Sequence, residues 1–169
     1  MGVIRAVIAD DSALLRMMLA DVLGQSKRIE VVGQACNGKE AVRLTAELRP
    51  DVLVLDCEMP VMTGLEALQE VMQKTPVPVF MFSSLTRAGA QVTVKALELG
   101  AVDFLLKPSG GPQELKAIAN TLIQKITTVV VKGRNRLLAS RRPPAVDKEV
   151  DINKTVPVRD TDIIAVGSS

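Results

Sequence analysis

The stretch 51–64, DVLVLDCEMPVMTG, constrains the fold more than any other part of this chain. Residues 52–55 form a short, continuous apolar run, the pattern of a strand covered on both faces of a parallel sheet. Such a strand ordinarily continues into apolar residues or a turn. This one delivers a carboxylate, Asp56, and Pro60 and Gly64 then punctuate a loop. An ionised group at the end of a buried strand costs free energy unless something there uses it. In open α/β sheets the carboxyl edge of the strands is where ligands bind, which makes Asp56 a candidate working group. A solvated strand-terminal aspartate is the bland alternative from this stretch alone.

The rest of the chain repeats the pattern. Residues 3–9 (VIRAVIA) read as a buried strand ending in Asp10 and Asp11, with Ser12 placed to cap a helix from Ala13 to about Leu23. Residues 29–36 predict a second strand, and a helix from Gly38 runs to the boundary set by Pro50. After the strand leading to Asp56, a helix is expected over about 64–74. Pro76 and Pro78 precede an apolar strand at 79–82, which ends in Ser83 and Ser84. A helix over about 89–99 stops at Gly100, a helix C-terminal cap. Residues 102–106 give a fifth strand, which delivers Lys107, and a last helix is expected from Pro112 to about Thr127. Five strands alternating with five helices through short loops specify an α/β fold, a parallel sheet with helices on both faces.

Composition narrows the chemistry. With 169 residues there is room for one well-buried domain and an appendage. Aromatics are 2% of the chain, which argues against nucleic-acid binding by base stacking, and a net charge of +2 gives no global pull towards nucleic acid or membrane. No apolar run has the length of a membrane span, and the N-terminus lacks a signal-peptide layout, so a cytoplasmic location without membrane insertion is expected. Cys36 and Cys57 are too few for a disulfide scaffold or zinc site. There is no histidine, which excludes a complete Ser-His-Asp or Cys-His triad within these residues.

Past about Val130 the character changes. VKGRNRLLASRRPP carries Lys132, Arg134, Arg136, Arg141 and Arg142 with no acid, and polar residues continue to Asp160. This reads as a linker, with a solvated basic run favoured over a nucleic-acid contact. Residues 162–169 (DIIAVGSS) give a strand signal again. A lone strand cannot bury itself, so the expected division is a domain over 1–128, a linker over 129–161 and the opening of a second domain at 162–169.

The strand ends form a constellation. Asp10 and Asp11, Asp56, Ser83 and Ser84, and Lys107 each follow a parallel strand and therefore share one sheet edge. Carboxylates brought together repel unless a cation joins them, and an all-oxygen ligand set suits a hard divalent ion such as Mg2+. Mg2+ favours phosphate, whose remaining oxygens a serine hydroxyl and a lysine ammonium would hold. A carboxylate free to attack phosphorus would form an acyl phosphate.

Residues 1 to about 128 resemble the receiver domain of two-component response regulators, through IADDS at 8–12, VLDCEMPVMTG, FSSLT at 82–86 and FLLKPSG. The resemblance implies a flavodoxin-like sheet of order 2-1-3-4-5. It implies that Asp56 receives phosphate from the histidine of a sensor kinase. Asp11, Asp56 and the backbone carbonyl of Glu58 would be the Mg2+ ligands, with Asp10 acting through water. Ser83 falls at the switch hydroxyl and Lys107 at the family's lysine, preceding a cis bond to Pro108. Phe104 falls at the aromatic switch position, read as core plus switch.

A narrower resemblance concerns SSLT, GAVDFLLKPSG, the linker and IIAVGSS, which look like the chemotaxis protein-glutamate methylesterases. It implies a regulatory half whose phosphorylation relieves inhibition of a C-terminal esterase that demethylates and deamidates chemoreceptors. Ser169 would be that esterase's nucleophile, and the fragment itself would have no esterase activity. The alternative output is a DNA-binding regulator, against which the strand-like 162–169 argues. A haloacid dehalogenase-type phosphatase is disfavoured, because Glu58 stands where that signature has its second aspartate. An inert interaction module would lack the acidic pair, Asp56 or Lys107, and all are present.

Overall fold

The computed structural model describes residues 2–84 and 87–141. Five strands, β1 (Ile4–Ala9), β2 (Ile29–Ala35), β3 (Val52–Asp56), β4 (Val79–Ser83) and β5 (Asp103–Leu106), alternate with five helices. These are α1 (Ala13–Gly24), α2 (Gly38–Leu48), α3 (Gly64–Lys74), α4 (Arg87–Glu98) and α5 (Pro112–Arg141). The strands form one parallel sheet in the order β2-β1-β3-β4-β5, the order expected of a flavodoxin-like fold.

The sheet buries both faces, as the unbroken apolar runs require. Every residue of β3 and β4 is buried. Alternation sends Ile8, Val54, Phe80 and Phe82 to one face, where Leu19 and Leu23 of α1 and Ala119, Leu122 and Ile126 of α5 cover them. Val7, Leu53, Leu55 and Met81 face the other way, towards Ala41 of α2, Ala67, Leu68 and Val71 of α3, and Ala96 of α4. A fully buried aliphatic side chain is worth about 1.5–3 kcal/mol, so the central strands anchor the sheet against a shift in register.

Local chemistry fixes the helix starts. Ser12 accepts from Leu15 N at 3.2 Å and Asn37 from Glu40 N at 2.8 Å. Thr63 and Glu66 make a reciprocal capping box at α3, which fixes the loop between Asp56 and that helix. Gly100, at φ +108°, lets the chain leave α4 in the left-handed conformation, with Ala101 N donating to Ala96 O.

α5 departs from expectation. It continues fourteen residues past Thr127, to Arg141. Val130 extends its buried stripe, and one turn on, Arg134 donates to Gly2 O, Val3 O and Asp51 Oδ2. The basic residues read as a linker signal are good helix formers, and the first prolines after Pro112 are Pro143 and Pro144. Residues up to Arg134 form one compact unit, while the end of α5 from Asn135 belongs to a second. Among the described residues no helix is long and apolar enough to cross a membrane. The expected strand at 162–169, Ser169 included, lies outside the described residues.

Candidate functional site

At the carboxyl edge of the sheet, β1, β3, β4 and β5 bring their terminal groups together. Asp10 and Asp56 are buried, at 3% and 1% exposure, whereas Asp11 is open to solvent. One carboxylate oxygen from each lies within 4.8 Å of the others. At that separation two ionised carboxylates repel by about 3 kcal/mol at an effective dielectric of about 20. A net hydrogen bond is worth only about 1 kcal/mol, so hydrogen bonding alone does not hold this cluster.

Lys107 supplies the first cation. Its backbone N–H donates to Ser83 O at 2.8 Å, continuing the β4–β5 ladder and directing the side chain back over the edge. Nζ lies 2.9 Å from Asp10 Oδ2 and 2.8 Å from Asp56 Oδ2. Asp10 Oδ1 accepts from Ser12 N at 2.8 Å, and Arg16 donates to the Asp10 carbonyl at 2.6 Å. Asp56 Oδ1 accepts from Glu58 N at 3.2 Å. Asp56 Oδ2 is different: it is buried within ion-pair distance of Nζ, yet no donor meets it at a hydrogen-bonding angle.

The electrostatics follow from burial. Desolvation pushes the Asp56 carboxyl up to about 6, Lys107 pulls it back and the Asp10 charge pushes it further up. Burial works against the Lys107 charge, but the two carboxylates outweigh it and raise that pKa. With all three aspartates ionised, one ammonium leaves two negative charges uncompensated. An all-oxygen cluster with that deficit and an unsatisfied buried oxygen fits a hard divalent cation.

The loop after Asp56 is held closely. A Cβ on Gly64 would lie 2.0 Å from Asp56 O, so only glycine allows α3 to begin so near the end of β3. Gly64 N donates to Cys57 O at 3.0 Å. Val61 sits at φ +69°, a conformation costly for a β-branched residue, at the exposed tip of the loop. Beside the carboxylates a groove of about 550 Å³ runs between Asp11, Glu58, Met59 and Pro60 on one side and Val92 of α4 on the other. Asp11, the exposed member of the carboxylate cluster, lines this groove.

Residues 6–120 match the response regulator receiver domain family. The chain belongs to that family. Solved and curated relatives place it within a narrower group of receivers. The crystal structure of the response regulator domain of Thermotoga maritima CheB superposes with a TM-score of 0.70 at 45% identity, over 76% of this chain and 96% of that one. The protein-glutamate methylesterase/protein-glutamine glutaminase of Methanococcoides burtonii is 49% identical over 73% of this chain and 35% of its own length. A second such protein, from Carboxydothermus hydrogenoformans, is 44% identical over 94% of this chain and 44% of its own. The chain thus spans less than half the length of these curated relatives.

The receiver brings together Asp10, Asp11, Asp56 and Lys107 of the groups read from the strand ends, and two readings differ from the structure. Ser83 is buried at 2% exposure, and its hydroxyl donates to Ser84 O at 3.3 Å. Phe104, read as core plus switch, is not core: it is 37% exposed, because on the edge strand β5 only Leu105 faces a packed helix layer. The Lys107–Pro108 peptide is trans, not cis. Glu58 is exposed in the loop. Cys57, which sequence reasoning did not assign to the site, is buried, and burial pushes its thiol up to about 11 against the pull of the Ser83 hydroxyl.

Proposed function

We propose that this receiver is a phosphorylation switch, in which Asp56 accepts a phosphoryl group from a phosphohistidine on a chemotaxis sensor kinase. The observation that carries the reading is the pairing of buried Asp56 with Lys107 and Asp10 while Asp56 Oδ2 lacks a directed donor. An Asp56 oxygen attacks phosphorus in line; the new O–P bond forms as the N–P bond breaks, and the imidazole nitrogen keeps the electron pair. The lysine ammonium then turns from the carboxylates to a phosphoryl oxygen, and the Ser83 hydroxyl takes another. Asp11, Asp56 and the Glu58 carbonyl would hold Mg2+, with Asp10 acting through water. When bound, the ion supplies the positive charge that offsets the acidic cluster and the transferring phosphoryl group.

The names carried by the similar proteins support an output of the same kind. In this reading the unphosphorylated receiver restrains a C-terminal esterase, and phosphorylation at Asp56 relieves that restraint. The esterase would hydrolyse glutamyl methyl esters, and deamidate glutamines, on chemoreceptors, with Ser169 as its nucleophile.

Incubation with acetyl phosphate, read by intact mass, tests the switch. One phosphoryl group should be added, and the adduct should be absent with EDTA and in Asp56→Asn. An adduct that persists in Asp56→Asn, or none from either acetyl phosphate or a phosphorylated kinase, overturns the proposal.

A further inference from the structure

Arg16 lies one turn into α1, half-buried, and among the described residues it pairs with no carboxylate. Its guanidinium instead donates to a backbone carbonyl, Asp10 O, at 2.6 Å. That oxygen lies one residue past the end of β1, in the peptide that joins Asp10 to Asp11. A bond from an ionised donor is about twice as strong as one between neutral groups, so this peptide is firmly held. The two aspartates it joins are held differently. Asp10 has a partner at each polar group: its N–H donates to Ala35 O at 3.1 Å, Oδ1 accepts from Ser12 N at 2.8 Å, and Oδ2 lies 2.9 Å from Lys107 Nζ. The Asp11 carboxylate is exposed and accepts no hydrogen bond among the described residues. Even so, one of its oxygens lies within 4.8 Å of oxygens of Asp10 and Asp56. The backbone alone aims it there. A peptide unit is planar, so holding Asp10 O fixes the plane that also carries the N and Cα of Asp11.

We propose that Arg16 is a positioning residue for the acidic pair, its guanidinium holding the Asp10–Asp11 peptide so that Asp11 meets a metal ion together with Asp56. The inference rests on the reading of the cluster as a Mg2+ site and deepens it. Arg16 touches neither the ion nor a phosphoryl group. It acts through the main chain, as an outer partner that pre-sets the one ligand with no partner of its own.

Two measurements on the full chain, with Arg16→Met and Arg16→Lys, test it. Both substitutes are good helix formers at a half-exposed helix position, so the fold is kept. The first measurement is calorimetric affinity for Mg2+ alone. Losing an outer partner lowers the affinity of a metal site by about 10- to 100-fold, and a single carbonyl contact predicts the low end, about tenfold, in Arg16→Met. Arg16→Lys keeps a charge and a donor and should recover most of it. The second is the 13C resonance of the Asp10 carbonyl with no metal present. It should move upfield in Arg16→Met, where the hydrogen bond is lost, and stay near the wild-type position in Arg16→Lys. An unmoved carbonyl, an unchanged Mg2+ affinity in Arg16→Met, or equal losses in both variants overturns the inference. If wild type itself takes up no Mg2+, the metal-site reading falls and the positioning role falls with it. If wild type and Arg16→Met take up Mg2+ equally well, the metal site stands and the role of Arg16 alone is overturned.

Discussion

Lys107 Nζ sits 2.8 Å from Asp56 Oδ2 and 2.9 Å from Asp10 Oδ2, so one ammonium serves two buried carboxylates. Removing it leaves both without a countercharge. In the absence of divalent cation, Lys107→Met should lose about 2 kcal/mol of stability at neutral pH, below the usual cost of breaking a buried pair because one carboxyl can protonate. Urea unfolding checks this. Added Mg2+ should recover part of the loss, and the deficit should shrink as pH falls through about 6 and Asp56 takes up its proton.

Asp56 gives a pH dependence of definite sign. Its pKa is raised from 3.8 to about 6, chiefly by burial, with Lys107 pulling it down and Asp10 pushing it up. A raised carboxyl binds its proton better in the folded state, so its contribution is fully present below the unfolded value and is lost as pH rises through about 6. With EDTA present, Asp56→Asn should be more stable than wild type by about 1–3 kcal/mol at pH above 7, and the two should converge near pH 4. Thermal unfolding across that range shows whether they do.

Gly64 lets β3 and α3 meet. Any side chain there would drive a carbon to 2.0 Å from Asp56 O, so the backbone must move and carry the carboxylate with it. Gly64→Ala should cost about 3 kcal/mol and weaken Mg2+ binding as well. Gly111, where a Cβ meets nothing within 4 Å, is the control: Gly111→Ala should change neither by much.

Arg134 ties α5 to the amino-terminal edge of the sheet through Gly2 O, Val3 O and Asp51. Asp51 also accepts from Arg5 N at 2.8 Å, so the same carboxylate serves β1 and α5. The Arg134–Asp51 pair is one-third exposed and worth no more than about 1 kcal/mol. Arg134→Ala should therefore leave global stability within about 1 kcal/mol of wild type while hydrogen exchange quickens over 128–134.

The strands and the shared edge were legible because each central strand is an unbroken apolar run that stops at a chemical group, whereas the strand order came from the resemblance to receiver domains. Periodicity and punctuation carry that information locally. The length of α5 was not legible, because Lys132, Arg134 and Arg136 are equally at home in a solvated linker and on an exposed helix. What decides between them is a contact with Asp51, 83 positions away. Phe104 misled for a related reason: its reading came from the resemblance to receiver domains, but an edge strand has a neighbour on one side only, and burial there depends on where the helices stop. Asp10, Asp56 and Lys107 were readable as a group because parallel topology alone sends every strand end to one edge.

The central claim is that Asp56 carries the phosphoryl group, and trapping the acyl phosphate tests it most directly. After incubation with acetyl phosphate and Mg2+, borohydride reduces an aspartyl phosphate to homoserine, which peptide mass spectrometry can place in the sequence. The account predicts homoserine at position 56, with none at Asp10 or Asp11 and none when Mg2+ is withheld. Homoserine at another aspartate, or phosphorylated protein with residue 56 unchanged, would contradict it.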